Sequence, residues 1–391
     1  MKLLANASTL NKGGALQVAV SFIRHALDEP CGIEWHFAVS LKLLEELSHA
    51  GLAENMRCIT LVDPSPAKSR EARRTLRELE KLVSPEIVMT IFGPSYVRFR
   101  APHICGVANP WVTHSTLLAF RTLGLPFGPL SGLVRILYKA YWYRKADFWI
   151  TEAEAAKIGL VRRLHLPSDR IAIIQNTCGQ QYFDQEGVAP FPAPDQKVRI
   201  LCLSAYYPHK NLEIIPSVAR VLQQVDPTLD FEFILTLPTR SEGWFKIASG
   251  AKKMGVSHRV CNHGPVPVAD GPRLYQNSHI AFLPSVLETF SANYPEAMAT
   301  GRPIVTTDLD FAREICKQAA LYYQPMNAGS AAEAVLKLCR NQVLWDSLVQ
   351  EGKRVLQGLP TPDTKYRQYV QCILDLQNLL NAGEILHANV S

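Results

Sequence analysis

The most informative stretch of this sequence lies at residues 282–305 and reads Phe282-Leu-Pro-Ser-Val-Leu-Glu288-Thr-Phe-Ser-Ala-Asn-Tyr-Pro-Glu296-Ala-Met-Ala-Thr-Gly301-Arg-Pro-Ile-Val305. It predicts a strand that ends near Pro284 and a loop that carries Glu288. A short helix follows, with Glu296 in its first turn, and Gly301 ends it before the next strand. Carboxylates at a strand end lie where α/β proteins bind ligands, and they accept hydrogen bonds from sugar hydroxyls.

A structural interpretation of the same residues is also open. Two glutamates eight positions apart are common, and Asn293 with Glu296 matches a capping box, in which two side chains satisfy backbone N–H groups at a helix start. Pro295 suits the first turn of such a helix. The surrounding strand–loop–helix–strand pattern, rather than the spacing of the glutamates, favours a ligand site.

Strands and helices alternate outward from this stretch along the whole chain. Before residue 184 the predicted strands are Lys2–Asn6, Ile33–Val39, Arg57–Val62, Ile87–Phe92, His103–Ala108, Phe148–Thr151 and Ile171–Gln175, and the predicted helices are Ala15–Leu27, Leu41–His49, Ser69–Leu82, Ser131–Lys145 and Glu152–Leu164. After residue 195 the strands are Val198–Ser204, Phe231–Leu237, Arg259–Cys261, Ile280–Leu283, Ile304–Thr306 and Ala320–Tyr323, and the helices are Leu212–Val225, Trp244–Lys253, Pro295–Ala299, Ser330–Arg340, Leu344–Leu356 and Tyr366–Leu380. This alternation predicts mostly parallel sheets covered by helices on both faces.

A proline-rich stretch at 184–195 interrupts the alternation and predicts a linker. We therefore expect one Rossmann-like domain over residues 1–185 and a second over residues 186–360. The last helix, at about 365–385, is expected to pack back on the first domain. Two such domains joined by a hinge predict a deep cleft, and ligands of open α/β sheets bind outside the carboxyl ends of the strands.

Two further features lie at predicted strand ends. Gly13-Gly14 follows the first strand and opens a helix, and paired glycines let backbone N–H groups approach a phosphate. A tight turn is the other explanation. Lys210 follows the first strand of the second domain, where its ammonium is well placed to neutralise a diphosphate, unless it is an ordinary solvated lysine.

Motifs of several other classes are missing from the sequence. It contains no Gly-x-Gly-x-x-Gly and no Gly-x4-Gly-Lys-Ser/Thr, which argues against a dinucleotide oxidoreductase and a P-loop NTPase. The pair Asp308 and Asp310 is suited to a divalent cation. It follows a strand and precedes a helix, however, so Asp310 is better explained as a helix N-cap.

In their order along the chain these segments resemble glycosyltransferase family four, the retaining "glycosyl transferases group 1" of bacterial polysaccharide biosynthesis. The resemblance rests on Gly13-Gly14, Ile173-Ile-Gln-Asn-Thr-Cys178 with Phe183, Lys210-Asn211, and Glu288 with Glu296. It implies the GT-B fold, in which two Rossmann-like domains face each other across a deep cleft, and a nucleotide-sugar donor. It also implies that no metal or other cofactor is needed, because a lysine and helix N-termini support the leaving diphosphate in that family.

The resemblance assigns roles to individual residues. These are Glu288 and His114 as catalytic residues at the donor sugar, Lys210 and Gly13-Gly14 at the donor phosphates, the backbone of Thr289-Phe290-Ser291 at the same sugar, and Glu296 at the ribose. His114 lies after the strand His103–Ala108, where the family has a histidine that touches the sugar. A hydrogen-bonded structural histidine is the alternative.

Two departures from the family pattern stand out. The family has an arginine five residues before the lysine, and here Ala205 occupies that place. The diphosphate would then be held by Lys210 with His209 or a base from the first domain. The usual Glu-Gly-Phe-Gly reads Glu-Thr-Phe-Ser at 288–291, so side chains replace two glycines beside the donor.

The positive charge of the chain is confined to one segment. Of the 391 residues, 41 are Lys or Arg and 35 are Asp or Glu, a net charge of +6, yet residues 87–146 contain seven bases and no acid. The rest of the chain is therefore close to neutral. A nucleic-acid-binding protein would spread its bases over a whole face and carry a dedicated module, neither of which the sequence shows.

The acid-free segment also contains ten aromatic residues: Phe92, Tyr96, Phe99, Trp111, Phe120, Phe127, Tyr138, Tyr141, Trp142 and Tyr143. Bases interleaved with aromatic rings suit a lipid interface. The predicted helix places Arg135, Lys139 and Trp142 along one side, which favours a membrane-bound or polyprenyl-diphosphate-linked acceptor at the inner membrane face. A buried helix with a solvated basic edge is the alternative.

Cysteine usage and hydropathy indicate the compartment. Nine scattered cysteines without a Cys-x-x-Cys fit reduced thiols better than a disulfide framework or a zinc site. Neither a signal peptide nor an unbroken apolar run of about 18–20 residues is evident. We expect a cytoplasmic protein, peripheral on the membrane at most.

The sequence thus predicts a retaining glycosyltransferase of cell-surface polysaccharide assembly, such as O-antigen, capsule or lipopolysaccharide. It would move a sugar from a nucleotide-diphosphate donor to a glycan or lipid-linked acceptor. Two alternatives remain at this point: a nucleotide-sugar epimerase or hydrolase of the same fold, and a catalytically silent homologue that acts as a scaffold.

Overall fold

The computed structural model describes residues 1–11, 13–52, 57–124, 128–184, 190–193 and 195–383. The chain forms two compact units. The first comprises Met1–His114, Leu130–Asn176 and the chain from Pro360 onward, and the second comprises Thr177–Leu359 together with the short helix α5 (Leu117–Arg121). Part of the predicted linker, at 185–189 and 194, lies outside the described residues.

The first unit is built on a seven-stranded parallel sheet. Its strands are β1 (Lys2–Ala7), β2 (Glu34–Val39), β3 (Ile59–Leu61), β4 (Ile87–Thr90), β5 (His103–Val107), β6 (Phe148–Thr151) and β7 (Ile171–Ile173). They lie in the order β3-β2-β1-β4-β5-β6-β7. Every residue of β4 and β5 is buried, as expected where helices cover both faces of a parallel sheet.

Within the described ranges, seven α-helices belong to this unit. They are α1 (Gly14–Asp28), α2 (Leu41–His49), α3 (Arg70–Val83), α4 (Pro110–Thr113), α6 (Gly128–Tyr143), α7 (Glu154–Leu164) and α16 (Pro362–Asn381). Serine side chains cap two of them, since Ser40 accepts from the Leu43 N–H and Ser69 accepts from the Ala72 N–H. Helix α16 packs on α1, where Tyr366 makes an edge-to-face contact with Phe22.

The second unit is built on a six-stranded parallel sheet. Its strands are β8 (Val198–Cys202), β9 (Phe231–Leu235), β10 (Val260–Asn262), β11 (Ile280–Leu283), β12 (Ile304–Thr307) and β13 (Ala320–Tyr323). They lie in the order β10-β9-β8-β11-β12-β13. The order reverses between β8 and β11, and such a switch point opens a crevice at the carboxyl ends of the two strands.

Among the described residues, nine α-helices belong to the second unit. They are α5 together with α8 (Gln180–Phe183), α9 (Ile215–Val225), α10 (Glu242–Lys253), α11 (Gly271–Gln276), α12 (Asn293–Ala299), α13 (Asp310–Cys316), α14 (Ala328–Cys339) and α15 (Gln342–Gln357). The predicted α/β class, with two Rossmann-like sheets, is confirmed.

Two predicted helix caps are wrong. Leu309 is the N-cap of α13, and Asp310 is the first helical residue. Ala292 precedes α12 as its N-cap, so Asn293 lies inside the helix and the capping box is not formed.

The Asp308 carboxylate, considered above for a divalent cation, is paired with an arginine. Arg313 binds both carboxylate oxygens of Asp308, with Nη2 at 2.8 Å from Oδ2. Within the described part of the chain, no three metal-ligating side chains lie together.

Candidate functional site in the second unit

The site is built at the switch point of the second sheet. Strands β8 and β11 are hydrogen-bonded neighbours, so the loops that follow them meet although they are far apart in sequence. The first loop carries Lys210 and the second carries Glu288. The Val286 N–H donates to the His209 carbonyl at 2.8 Å and joins the two loops. The residue after Lys210, Asn211, turns the chain with a left-handed φ of 51°.

An ion pair lies between these loops. Lys210 Nζ donates to Glu288 Oε1, and the two side chains are only 15% and 9% exposed. Burial by itself would raise the pKa of Glu288, but the charge of Lys210 and the hydrogen bonds from Lys210 and Ser285 lower it below the usual value. Glu288 is therefore a carboxylate at neutral pH, with a cation held beside it.

His209 supplies a hydrogen-bonding ring rather than a second cation. Burial lowers the pKa of His209 to about 4, although the Glu288 charge acts in the opposite direction. The ring stacks on Tyr207 with 5.5 Å between centroids. Lys210 and His209 are the groups on this loop that were predicted to hold a diphosphate in place of the missing arginine. Of these two, Lys210 is the one that brings a positive charge.

Glu296 lies in the first turn of α12, inside a polar cluster. Tyr275 Oη donates to Glu296 Oε2 at 3.2 Å, and Asn293 Nδ2 donates to the same oxygen at 3.4 Å and to the Leu203 carbonyl at 2.7 Å. Burial raises the pKa of Glu296 to about 7, against the Tyr275 hydrogen bond and the Lys210 charge, which lower it. A carboxyl that titrates near neutrality at a strand-end site is typical of functional positions.

The sequence analysis missed Tyr275 and misjudged Asn293. Tyr275 lies in α11, 21 residues before Glu296, and nothing in the local pattern marks it. Asn293 was considered only as a cap, whereas its amide links the β8 end to the Glu296 carboxyl. Both residues orient Glu296, and only the folded chain brings them to it.

The loop after Glu288 presents both polar and apolar groups. Thr289 Oγ1 is buried, and it has no hydrogen-bond partner among the described residues. Phe290 is buried in an apolar cluster, which anchors the loop. Ser291 Oγ donates to Asn293 Oδ1 at 3.3 Å, so the serine that stands for a family glycine is tied to the Glu296 cluster.

In the first unit, Gly13 and His114 follow β1 and β5 at the carboxyl edge of the sheet. Gly13 has a φ of 74°, which favours glycine, and no side chain among the described residues caps the start of α1. A Cβ at Gly14 would meet no described atom within 4 Å. His114 Nδ1 lies 2.7 Å from Thr113 Oγ1, so this histidine has a local hydrogen-bond partner on the preceding residue.

The predicted basic side of α6 is only partly exposed. Arg135 is exposed and donates to the Ser131 carbonyl at 3.2 Å, whereas Lys139 and Trp142 are half-buried. Burial and the neighbouring Arg135 charge lower the pKa of Lys139. On a helix that turns by about 100° per residue, these three side chains point away from the most exposed face.

That most exposed face of α6 is apolar, which the sequence analysis did not predict. Its members recur with the spacing of a single helix face, at offsets of 3, 4, 7, 8 and 11 from the first: Leu130, Leu133, Val134, Leu137, Tyr138 and Tyr141. Leu137 is 61% exposed and Leu130 is 64% exposed. A helix face of this kind is normally buried in a soluble protein, so it marks a candidate contact surface.

The predicted aromatic interface is correspondingly smaller than expected. Phe92, Tyr96, Phe99 and Tyr143 are buried, and Phe127 lies outside the described residues. Of the described aromatic residues in the segment, Tyr138 and Tyr141 on α6 are the exposed ones. Among the described residues, no helix is both long and apolar enough to cross a bilayer.

Residues 185–355 match the family model described as "Glycosyl transferases group 1". The chain is 20% identical over 221 residues to the O-antigen chain mannosyltransferase RfbU of Salmonella typhimurium. The matched region covers 56% of this chain and 54% of that protein. The chain thus spans about half the length of this curated relative.

Two solved structures show the fold. The HepE structure from Anabaena in complex with UDP-glucose has a TM-score of 0.73 at 14% identity, over 96% of this chain and 100% of that one. WaaG, a glycosyltransferase involved in lipopolysaccharide biosynthesis, has a TM-score of 0.68 at 12% identity, over 94% and 98%. The predicted GT-B fold is confirmed, and the family resemblance is confirmed for residues 185–355.

Proposed function

We propose that this protein, whose residues 185–355 are a glycosyl transferases group 1 domain, moves a sugar from a nucleotide-diphosphate donor to an acceptor with retention of anomeric configuration. The observation that carries the proposal is the buried Lys210–Glu288 pair at the switch point of the second sheet. It sets a fixed cation and a fixed carboxylate where this sheet type binds its ligand.

The pair has a clear use in glycosyl transfer. When the bond between the anomeric carbon and the phosphate oxygen breaks, negative charge develops on the leaving diphosphate, and the Lys210 ammonium stabilises it. Glu288 stays ionised and faces the sugar, where positive charge develops at the anomeric carbon. In this scheme the leaving phosphate oxygen takes the acceptor proton, so no separate base is required.

The Glu296 cluster suits the ribose of the donor. With a pKa of about 7, Glu296 accepts or donates hydrogen bonds to a hydroxyl pair near neutral pH. Tyr275 and Asn293 hold its Oε2, which leaves Oε1 for a ligand. Thr289 Oγ1, buried and without a partner among the described residues, is a further group for the donor sugar. Gly13, Gly14 and His114 stay predicted donor contacts from the first unit.

For the acceptor, we propose a glycan or lipid-linked glycan of cell-surface polysaccharide assembly. The name of RfbU, an O-antigen chain mannosyltransferase, supports this class. The exposed apolar face of α6 and the seven bases without an acid in residues 87–146 support peripheral attachment to an anionic membrane surface on the cytoplasmic side. Vesicles with anionic lipid should sediment the protein, less so at high salt. Equal recovery with neutral vesicles would reject the attachment.

The donor site is tested by replacing its cation. A panel of nucleotide sugars is first screened for a rise in Tm, because a ligand that binds the folded state stabilises it. With the donor so found, Lys210→Ala should abolish the Tm rise and lower turnover by about 100-fold or more, since a preorganised charge at the reacting centre is lost. Glu288→Ala should lower turnover comparably.

The matched control is Lys246→Ala, in the same unit. Lys246 also pairs with a glutamate, Glu242, but both side chains are more than half exposed, so turnover should stay within about twofold. Unchanged turnover in both Lys210→Ala and Glu288→Ala would reject the site. Donor consumption that needs no acceptor would favour an epimerase or hydrolase, and no turnover with any donor and acceptor would favour a scaffold.

A further inference from the structure

A polar cavity lies in the first unit, on a surface that neither the family resemblance nor the donor site accounts for. It has a volume of about 440 Å³. Its walls come from α3, from the loop after β4 and from α6, and its lining residues are Arg70, Arg73, Arg77, Tyr96, Val97, Arg98, Tyr141, Trp142 and Lys145. We refer to it as the arginine pocket. Five of its nine lining residues are cations and none is an acid.

Helix geometry concentrates this charge. Arg70, Arg73 and Arg77 follow one another at intervals of three and four residues, so they share one face of α3. Like charges at this spacing repel one another, and Arg98 and Lys145 add two more cations opposite. An anion in the cavity would relieve that repulsion, whereas the lining itself contains no carboxylate to do so.

Arg73 is held in place without being neutralised. Its Nε donates to the Pro66 carbonyl at 2.6 Å, and Nη2 donates to the Ala67 carbonyl at 3.2 Å and to Tyr138 Oη at 3.1 Å. Its guanidinium also lies over the Trp142 ring, 5.5 Å from the centroid. All of these partners are uncharged, so the guanidinium is rigidly positioned and keeps its full charge for a ligand.

The aromatic wall is equally ordered. Tyr96 has a left-handed φ of 60°, an uncommon conformation for a tyrosine, and it stacks on Tyr138 with 5.8 Å between centroids. Trp142 contacts both Tyr96 and Tyr141 through ring edges. Its indole Nε1 is buried and has no hydrogen-bond acceptor among the described residues. Contacts among these rings therefore hold the aromatic wall of the pocket in place.

We propose that the arginine pocket binds a phosphate group carried by a lipid headgroup. Guanidinium groups bind phosphate oxygens in a bidentate manner, and several of them converge on a cavity large enough for a phosphate and its ester. Tyr141 links the pocket to the bilayer, because it lines the pocket and also belongs to the exposed apolar face of α6. A headgroup in the pocket and acyl chains against Leu137 and its neighbours would satisfy both surfaces at once.

This proposal deepens the proposed membrane attachment and rests on it, but it is independent of the donor site. It predicts more than attraction by charge: a phosphomonoester headgroup should bind better than a phosphodiester at equal surface charge. The reason is that an exposed monoester phosphate offers more oxygens to the guanidinium groups. A soluble phosphate ester carries the same phosphate group and is the alternative ligand.

The experiment compares phosphatidylcholine vesicles that contain phosphatidic acid with vesicles that contain phosphatidylglycerol, adjusted to the same zeta potential. The unmodified protein should partition at least about threefold better onto phosphatidic acid. Arg70→Gln/Arg77→Gln should lose this preference and at least about tenfold in partitioning. The matched control, Arg74→Gln/Lys81→Gln, removes the same charge from α3 outside the pocket and should keep the preference.

Other results would overturn the proposal. Equal binding to the two vesicle types, or equal losses in the two double variants, would reduce the pocket to general surface charge. Displacement by inorganic phosphate or glycerol 3-phosphate at the concentration of the lipid phosphate would assign the pocket to a soluble ester. The donor-induced Tm rise of the unmodified protein is measured in parallel, so failure of the proposed function is seen separately from failure of the pocket.

Discussion

At the scale of single residues, the candidate donor site contains two glutamates whose surroundings shift their pKa values in opposite directions. Glu288 is kept ionised by Lys210, although burial opposes ionisation. Glu296, eight positions later, is bound by the uncharged Tyr275 and Asn293, and burial raises its pKa to about 7. Two carboxyl groups on one short segment therefore have pKa values shifted in opposite directions, which is a common arrangement where each has its own task.

The raised pKa of Glu296 makes stability depend on pH. Its folded-state pKa of about 7 lies above the ordinary value of 4.5, so its contribution to stability is complete below pH 4.5 and is lost as the pH rises through 7. Glu296→Gln removes this dependence. Relative to the Gln variant, the unmodified protein should lose on the order of 2 kcal/mol in the free energy of unfolding between pH 5 and pH 8.

Denaturant unfolding at several pH values measures this difference. Glu333→Gln is the control, because Glu333 is an exposed glutamate of the same unit, and its difference from the unmodified protein should not change with pH. A pH-independent difference for Glu296→Gln as well would show that the carboxyl titrates at its ordinary value in the folded chain.

At the scale of elements, α6 departs most from expectation. The sequence predicts the helix and its basic and aromatic residues, but the helix turns its aliphatic side chains outward and keeps Tyr143 in the core. The two bases considered from sequence, Arg135 and Lys139, point away from this face, and Lys139 is half-buried. An exposed apolar face on one side of a helix, with a base on the other side, is typical of a helix that lies in a membrane interface.

Leu137→Asp tests whether α6 is the part that meets the membrane. Burying a leucine in the interface stabilises binding by about 2 kcal/mol, and an aspartate there is also repelled by anionic lipid, so vesicle recovery should fall at least about tenfold. Val343→Asp is the control, since Val343 is 80% exposed on α15 of the other unit. Similar recovery of both variants would show that attachment, if present, occurs elsewhere.

At the scale of the whole molecule, the chain has separate apolar cores in its two units. The core of the first unit includes residues of β1 and α1 together with Tyr366, Tyr369 and Ile373 of α16. The core of the second is built around β8, β9 and α14. Helix α16 thus completes the core of the unit in which the chain begins. Units that have their own cores need not unfold in a single step.

Calorimetry should therefore resolve two transitions. Ile373→Ala leaves a cavity in the first core, costs about 2–5 kcal/mol and should lower one transition by about 5–15 °C. The sugar donor should raise the other. Leu379→Ala, at a 38% exposed position on the same helix, should change neither by more than about 2 °C. One transition that responds to both the mutation and the donor would contradict this division.

The sequence alone determined the longer helices and the strands, because helix and strand periods and glycine stops are local properties. It did not predict the short helices α4, α5, α8 and α11. The strands Ile280–Leu283, Phe148–Thr151 and Ala320–Tyr323 were predicted with the bounds that the structure has. The positions of Glu288 on a loop and Glu296 in a helix start were also predictable, since both follow from their immediate neighbours. For the sheets, the alternation of strands and helices predicted that the strands are mostly parallel, but it did not predict their order.

Only the tertiary structure decided which residues meet. Lys210 and Glu288 are 78 positions apart and pair because β8 and β11 are neighbours in the sheet. Tyr275 reaches Glu296 from another helix, and the arginine pocket needs α3, a loop and α6 together. Periodicity shows that a helix has two faces but not which one the rest of the chain covers, because burial depends on packing between segments that are distant in sequence.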